Sequence, residues 1–334
     1  MNALIRGHTA VRELLRSAIA SDRVAHAYAF VGPPGIGKRL TAQAFAQALL
    51  CPSRQVASSG GRESLGGCGL CPACQRVEAG AHPDCHLIVP SGQLIRIDQV
   101  RELERLAALK PHQGPLKVFI VDDAERMSLV TANALLKTLE EPPARTVIIL
   151  ILSQARALPP TALSRCQVVR FTPLGEAEAV ALLMNSGVDE ATAQFLARAC
   201  QGQVGLVLGR EPGLWRERRD QAVALLSEVA SKGAEALFAR VEALGRDRTQ
   251  IAELIEAVWL WYRDLCCVKA GGAPRLLLSS DRQAELVSNA GATPWEGILA
   301  GLVACREAWQ ALEGNVSPRL TLEVLLSRLA LRAA

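Results

Sequence analysis

The chain has 334 residues, of which 50% are hydrophobic and 21% are charged, so it can bury a core and is not globally disordered. Its 37 Lys and Arg outnumber its 33 Asp and Glu by only four, too small an excess for a protein that binds nucleic acid over its whole surface. The longest purely aliphatic run, 147–152, has six residues, and a membrane-spanning helix needs about 20, so a transmembrane protein is excluded.

A cytoplasmic location is expected from the amino terminus and the cysteines. Residues 1–6 become polar at once and carry no apolar segment typical of a signal peptide. In the reducing cytosol, the ten cysteines are expected to be thiols or metal ligands rather than disulfides.

Five short β-rich runs alternate with helical patterns over about the first 170 residues. They cover 27–31, 86–89, 118–121, 147–152 and 167–171. Nearly continuous apolar strands separated by helices are typical of a parallel sheet covered on both faces. The sequence therefore predicts an α/β fold for this part of the chain.

Beyond residue 173 the β signal stops, and apolar residues recur at helical spacing to the end. The clearest stripe consists of Ile251, Leu254, Ile255, Val258, Tyr262 and Leu265. Glycine and proline at 209–213 predict a hinge between a small helical unit and a larger helical domain, and those at 271–274 predict a break within that domain. The Ser- and Gly-rich stretch 53–67 is expected to be a surface loop.

A glycine-rich loop follows the first predicted strand and precedes a helical stretch at 40–50. It contains Gly32, Gly35, Gly37 and Lys38 in the spacing of a P-loop. The glycines allow backbone N–H groups to surround phosphate oxygens, and Lys38 would reach the β- and γ-phosphates. We therefore predict a nucleotide site of P-loop origin.

Two positions of this nucleotide site depart from the working pattern. Arg39 stands where a P-loop carries the Ser or Thr that binds Mg²⁺, and a guanidinium has no lone pair for a cation. Asp122 ends an apolar strand and would hold Mg²⁺, but Asp123 stands where related ATPases carry the Glu that polarises the attacking water. With Ser153 at the end of the fourth strand, these residues form a degenerate site in which binding of ATP and Mg²⁺ is doubtful.

A cysteine cluster follows the P-loop helix. Cys68, Cys71 and Cys74 are spaced by two residues, and Cys51 lies at the end of that helix. Four thiolates can close a tetrahedral site, so we predict structural Zn²⁺. An iron–sulfur cluster is the alternative, since ferredoxin-like runs share the spacing. His82, Cys85 and His86 are further candidate ligands, which we interpret as ordinary residues.

With these motifs, the chain resembles the clamp-loader ATPases of the AAA+ superfamily. The resemblance rests on the loop 32–38, on Asp122 and Asp123, on the helix 133–143 that two prolines close, and on 164–166, which matches the family's Ser-Arg-Cys motif. In that family the arginine is a finger that reaches the ATP of the neighbouring subunit, so the resemblance implies this role for Arg165. A local salt bridge of Arg165 is the alternative.

The cysteine insertion narrows the resemblance to two bacterial DNA polymerase III subunit families, the ATPase γ/τ and its partner δ′. Arg39, Asp123 and Gly205 favour δ′, because Gly205 stands in the segment where the ATPase subunits carry a sensor-2 arginine. Segments 82–84, 261–265 and 315–320 also resemble δ′, so the resemblance runs from Gly7 to about Leu329.

The resemblance implies three domains. These are an AAA+ RecA-like P-loop domain with the zinc module at 1–166, a helical lid at 167–208 and a helical collar for oligomerisation at 209–334. It further implies a non-motor stator in a hetero-oligomeric ring with γ/τ and δ subunits, which loads the sliding clamp onto primed DNA during replication. No active catalytic site is expected in this chain alone, although it would be a subunit of the DNA-directed DNA polymerase holoenzyme, a nucleotidyltransferase.

Two other functions remain open from the sequence. The first is an ATP-hydrolysing subunit of γ/τ type, which would require Arg39 to move aside. The second is a zinc-ribbon module that binds nucleic acid, for which the cysteine insertion offers Arg54, Arg62 and Arg76 but no aromatic residue.

Overall fold

The computed structural model describes residues 7–53, 65–208, 214–232, 241, 247–314 and 316–333. The amino-terminal residues 1–6, most of the Ser/Gly-rich loop and the expected hinge at 209–213 lie outside the described residues. The chain divides into two compact units, one of Met1–Ala193 with Cys200–Leu208 and the other of Gln194–Ala199 with Gly209–Ala334. The three-domain boundaries stay a prediction.

A five-stranded parallel sheet forms the centre of the first unit, which confirms the predicted α/β fold. The strands are β1 (Ala27–Val31), β2 (Cys85–Ile88), β3 (Lys117–Val121), β4 (Thr146–Leu152) and β5 (Gln167–Arg170). Their order across the sheet is β2-β3-β4-β1-β5. Each predicted strand agrees with an observed one to within one residue at either end. The three central strands are short apolar runs that are fully buried, whereas the edge strands β2 and β5 are partly exposed.

Helices cover both faces of this sheet. Those of the first part of the chain are α1 (Thr9–Ala20), α2 (Lys38–Leu50), α3 (Pro72–Glu78), α4 (Ile97–Ala107), α5 (Leu129–Glu140), α6 (Pro160–Leu163), α7 (Glu176–Asn185) and α8 (Glu190–Ala199). Short 3-10 turns lie at Ala124–Arg126, Ala155–Ala157 and Val204–Leu206.

Two separate cores result from the alternation of side chains along the strands. On one face, Tyr28 and Phe30 of β1 pack with Phe45 of α2 and with residues of α1. On the other face, Ala27 and Ala29 of β1 pack with residues of α4, α5 and α6. The helices are thereby fixed against the sheet, and so are the loops that enter and leave them at its edge.

The second unit is helical, as the sequence predicts. It contains α9 (Leu214–Lys232), α10 (Arg248–Lys269), α11 (Gln283–Ala292), α12 (Trp295–Glu313) and α13 (Pro318–Ala333), with 3-10 turns at Pro274–Leu276 and Ser280–Arg282. The predicted apolar stripe lies on α10, where all its members except the partly buried Tyr262 are buried in two helical cores. No helix in the described ranges is long and apolar enough to cross a bilayer.

A buried carboxylate organises the turn that follows α10. Asp264 is fully buried and accepts hydrogen bonds from the backbone N–H groups of Leu278 (3.0 Å) and Ser279 (2.7 Å). Nη1 of Arg263 lies 2.8 Å from the same carboxylate and also donates to the carbonyl of Leu276. This network closes the chain after the break at 271–274 and compensates the cost of burying the charge.

Candidate functional site

The nucleotide-site residues meet at the carboxyl edge of the sheet. The glycine loop follows β1, Asp122 follows β3 and Ser153 follows β4. Because β3, β4 and β1 are neighbours in a parallel sheet, their carboxyl ends open on one crevice, which is the usual ligand position in such folds.

The glycine loop has the backbone shape of a P-loop. Gly35 and Gly37 have φ of 70° and 93°, and Gly37 directly precedes α2. At Gly32 a Cβ would lie 2.5 Å from the carbonyl oxygen of Phe171, so a side chain at this position would collide with backbone. The structure thus has a glycine loop where the sequence predicts one, and the helix after it begins at Lys38, two residues before the predicted stretch 40–50.

Lys38 folds back onto this loop. Its Nζ donates to the carbonyls of Gly32 and Pro33, both at 2.6 Å, and the residue is 8% exposed. Burial lowers the pKa of Lys38, while Glu125 and then Asp122 and Asp123 oppose this shift by attraction. The ammonium group thus has protein partners on the loop side and acidic neighbours across the crevice.

Arg39 forms an ion pair with the acid that would hold Mg²⁺. Its Nη1 lies 3.3 Å from Oδ2 of Asp122, and the two side chains are 49% and 17% exposed. Asp122 also accepts a hydrogen bond at Oδ1 from the N–H of Asp123. A guanidinium therefore occupies the coordination space of Asp122 in which a metal ion would need to lie.

Asp123 and Glu125 complete the acidic side of the crevice. Asp123 has a left-handed backbone with φ of 48° and pairs with Arg126 at 3.5 Å. Burial, Asp122 and Glu125 together raise the pKa of Asp123. Oε1 of Glu125 accepts the N–H of Ser153 at 3.1 Å, whereas its Oε2 is buried and has no hydrogen-bond partner among the described residues.

Sequence reasoning missed Glu125. The available signal was its spacing, three residues after Asp122 and in the turn that leaves β3. Its contact with Ser153 links the ends of β3 and β4, so it belongs to the frame of the crevice.

The segment around Gly205 packs directly on the glycine loop. The N–H of Gly205 donates to the carbonyl of Gly35 at 2.7 Å, and a Cβ on Gly205 would lie 2.6 Å from that oxygen. From another direction, Nε2 of His8 lies 2.8 Å from the carbonyl oxygen of Ile36. The loop is thus held by the N–H of Gly205 and by the side chain of His8. Gly205 stands in the segment where the resemblance predicts a sensor-2 arginine in an ATPase subunit.

The four predicted metal ligands come together. The sulfurs of Cys51, Cys68, Cys71 and Cys74 all lie within 4.8 Å of one another. The Cys51–Cys71 pair is 4.0 Å apart and the Cys68–Cys74 pair is 3.9 Å apart. Four sulfurs at about 2.3 Å from one ion stand about 3.8 Å apart in a tetrahedron, so the spacing fits a single ion and is too small for a cluster of several irons.

Backbone N–H groups point at these sulfurs. Cys68 N–H donates to the sulfur of Cys51, Cys71 N–H to that of Cys68 and Cys74 N–H to that of Cys71, at 3.4–3.5 Å. Hydrogen bonds from Leu70 and Cys71 lower the pKa of the Cys68 thiol to about 6. Burial raises the pKa values of Cys51 and Cys74. A cation at the centre would be the partner that favours thiolate at the buried pair.

Gly67 and Gln47 surround the cluster and were not identified from the sequence. A Cβ on Gly67 would lie 2.5 Å from the sulfur of Cys74, so only glycine lets the backbone pass there. Gln47 of α2 is buried and donates to the carbonyl of Cys74 at 3.0 Å. The cluster is therefore joined to the P-loop helix by Cys51 and by Gln47.

The further candidate ligands lie outside this cluster. Nδ1 of His82 accepts the N–H of Asp84, and the ring of His86 stacks on Phe119. Burial raises the pKa of Cys85 to about 11. Asp84 is itself fully buried and accepts the backbone N–H groups of 112, 113 and 114 at 2.6–2.7 Å.

Arg165 lies just after α6, with 35% of its side chain exposed. Its Nη2 is 2.6 Å from Oε1 of Glu140, and its Nη1 donates to the carbonyl of Thr161 at 2.6 Å. A local ion pair, the alternative weighed for this residue, is thus present within the chain. The same guanidinium remains accessible from outside.

Residues 7–175 match the family described as DNA polymerase III, delta subunit. The chain belongs to this family. The matched range contains the glycine loop, the cysteine cluster, the Asp122–Arg39 pair and Arg165. All of the geometry above except the contact of Gly205 therefore lies within the region that members of the DNA polymerase III delta subunit family share.

Three relatives of this family are named DNA polymerase III subunit delta′. The protein of Bacillus subtilis (strain 168) is 28% identical over 319 residues, which cover 95% of this chain and 94% of the relative. That of Pseudomonas aeruginosa (strain PAO1) is 44% identical over 157 residues, 46% of this chain and 45% of the relative. That of Escherichia coli (strain K12) is 33% identical over 223 residues, 66% of this chain and 64% of the relative.

Proposed function

We propose that the chain is the non-motor δ′ subunit of a bacterial DNA polymerase III clamp loader. It assembles with γ/τ and δ subunits in a hetero-oligomeric ring that places the sliding clamp on primer–template DNA. It acts in the cytoplasm and contributes no ATP hydrolysis of its own. Family membership and the δ′ relative that matches along nearly the whole chain support this assignment.

The ion pair of Arg39 with Asp122 is the observation that carries the non-motor role. A P-loop ATPase needs Mg²⁺ between a hydroxyl and an acid, and here a guanidinium stands in place of the hydroxyl and pairs with the acid. Moving Arg39 aside would leave Asp122 without its partner and would still supply no hydroxyl. The γ/τ-type alternative therefore requires both that Arg39 moves away from Asp122 and that another group supplies the missing hydroxyl.

Arg165 is the residue through which this subunit acts on ATP. In our proposal its guanidinium reaches the γ-phosphate of ATP bound by the adjacent γ/τ subunit. A cation delivered in trans stabilises charge that develops in the transition state and is worth ~10³-fold or more in rate. The partial exposure of Arg165 and its place at the end of α6 support this role.

The cysteine cluster holds one structural Zn²⁺ through Cys51, Cys68, Cys71 and Cys74. Four thiolates leave no open position for a substrate, so the ion stabilises the insertion and takes no part in a reaction. The cluster is joined to α2 through Cys51 and Gln47, and a nucleic-acid-binding zinc ribbon is the alternative that a DNA-binding assay tests.

The test is co-purification followed by ATPase assays. The chain alone should show no turnover above background, and it should join a complex with γ/τ and δ that hydrolyses ATP when clamp and primed DNA are present. Turnover by the isolated chain that Lys38→Ala abolishes would establish the γ/τ-type function instead. Tight binding of primed DNA by the isolated chain would establish the zinc-ribbon function.

A further inference from the structure

The guanidinium of Arg165 is held at two points that come from different parts of the fold. Nη2 pairs with Glu140, the last residue of α5, and Nη1 donates to the carbonyl of Thr161 in α6 and lies 3.4 Å from the hydroxyl of Ser164. Arginine has five N–H donors. Its Nε–H has no protein acceptor in the described part of the chain, so it is free for a phosphate.

The two holding points are themselves rigid. Leu135 and Leu139 of α5 share one core with Ala162 of α6, so the carboxyl ends of both helices have fixed positions. Glu140 is the last residue of α5, and Pro142 and Pro143, which cannot continue a helix, follow it closely. The carboxylate therefore stands at a defined place beside Arg165.

This ion pair contributes little to folding, because both partners are partly exposed, Arg165 at 35% and Glu140 at 49%. Its effect is on conformation. A free arginine side chain has many rotamers, and it loses conformational entropy when the guanidinium binds a phosphate. A partner that restricts the rotamers beforehand lowers this cost, and preorganised charges are the efficient ones in phosphoryl transfer.

We propose that Glu140 is a positioning residue for Arg165, which holds the guanidinium ready for the ATP of the neighbouring subunit. This inference rests on the proposed function, since it requires Arg165 to act in trans. Glu140 touches neither ATP nor the reacting atoms, and its role is exerted through Arg165. The carbonyl of Thr161 holds Nη1 of the guanidinium in position, and the carboxylate of Glu140 holds Nη2.

The experiment uses a loader reconstituted with γ/τ subunits whose own finger arginine is replaced by Ala, so that turnover reports the site this chain faces. Glu140→Ala should lower kcat about 10-fold with KM for ATP unchanged, because a dispersed guanidinium is misplaced in the transition state. Glu140→Gln keeps a carbonyl acceptor and should lose less, about 3-fold. Glu141→Ala is the matched control, since it removes the neighbouring exposed carboxylate and should leave kcat unchanged.

The Arg165→Ala background separates the inference from the proposed function. There, Glu140→Ala should add no further loss, because its effect passes through the missing guanidinium. If Arg165→Ala alone slows the loader but Glu140→Ala turns over at the unmodified rate or faster, the positioning role is overturned and the trans role of Arg165 stands. An equal loss from Glu140→Ala with and without Arg165 also overturns it. If Arg165→Ala has no effect, the proposed function itself fails.

Discussion

Nη1 of Arg39 lies 3.3 Å from Oδ2 of Asp122, across 83 positions of sequence. Arg39 lies in the first turn of the helix after the glycine loop, and Asp122 directly follows β3, which lies two places from β1 in the sheet. In an active P-loop ATPase a hydroxyl and an acid at these two positions serve Mg²⁺, whereas here the two side chains form an ion pair. The substitution at position 39 therefore does more than remove a ligand, because it also engages the remaining one.

Replacing Arg39 should make the carboxylate of Asp122 available to a metal ion. Arg39→Thr restores the hydroxyl and frees Asp122, so binding of a fluorescent ADP analogue should become Mg²⁺-dependent and at least about 10-fold tighter than in the unmodified chain. Titration with and without EDTA measures this change. Arg39→Ala is the control that frees Asp122 without adding a hydroxyl. Equal affinities for Arg39→Thr and Arg39→Ala would show that the hydroxyl has no metal to bind.

The cysteine cluster should retain about one equivalent of zinc on purification. Elemental analysis of protein prepared without chelator measures it, and iron or an empty site would contradict the assignment. Gly67→Ala should lower zinc content and thermal stability together, because its Cβ would lie 2.5 Å from the sulfur of Cys74. Gly69→Ala is the control for adding a methyl group near the cluster, because no described atom lies within 4 Å of a Cβ at this position. Its φ of 73° adds some backbone strain.

Arg165→Ala should leave the fold intact and slow ATP hydrolysis by the assembled loader. Loss of an exposed ion pair costs about 0–1 kcal/mol in stability, whereas loss of the proposed finger should cost ~10³-fold in rate at the one γ/τ site that it would reach. Thermal melting and steady-state turnover separate the two effects. Arg165→Lys should rescue only in part, because Lys keeps the charge but not the planar fork. Clamp loading by both variants at the unmodified rate would remove Arg165 from the mechanism.

Asp84 should make the first unit sensitive to acid. Although burial opposes ionisation, three backbone N–H groups hold the pKa of Asp84 below its usual value. Its contribution is therefore complete above about pH 4 and is lost as the pH falls through the depressed pKa. Asp84→Ala should cost about 3 kcal/mol at pH 7 and show a weaker loss of stability on acidification, as followed by urea unfolding. Asp98→Ala, which removes an exposed aspartate, should change the free energy of unfolding by less than about 1 kcal/mol.

Asp264→Ala should destabilise the second unit by about 2–4 kcal/mol. The substitution leaves the N–H groups of Leu278 and Ser279 without their acceptor and Arg263 without its partner. Urea unfolding followed by tryptophan fluorescence measures the change, because Trp261 is buried one turn away. Asp264→Asn keeps one acceptor oxygen and should lose less. Equal stability of Asp264→Ala and the unmodified chain would contradict the role of the network.

The sequence predicted the sheet closely because β1, β3 and β4 are short apolar runs that are buried on both faces, and the edge strands β2 and β5 still carry β-branched or apolar residues at their centres. It also predicted the cysteine cluster, since spacing alone brings three of the ligands together. It could not predict the contacts of Arg39 with Asp122 or of Arg165 with Glu140. Both join residues far apart in sequence, and their distances depend on how the helices pack on the sheet. Gly67 was missed because its role depends on how closely the backbone passes the sulfur of Cys74. Glu125 was missed because its role depends on a hydrogen bond from the backbone of Ser153.

The contact between Gly205 and Gly35 restricts which side chains position 205 can carry. Position 39 can return to Thr by a local change, because Arg39 is half exposed. Position 205 cannot return to Arg in the same way, since any Cβ there would lie 2.6 Å from a backbone oxygen of the glycine loop. The segment would first have to withdraw, at the cost of the hydrogen bond it now makes. Under the proposed function, a single Gly205→Arg substitution would therefore not supply a sensor-2 arginine, because main-chain packing on the glycine loop leaves no room for its Cβ.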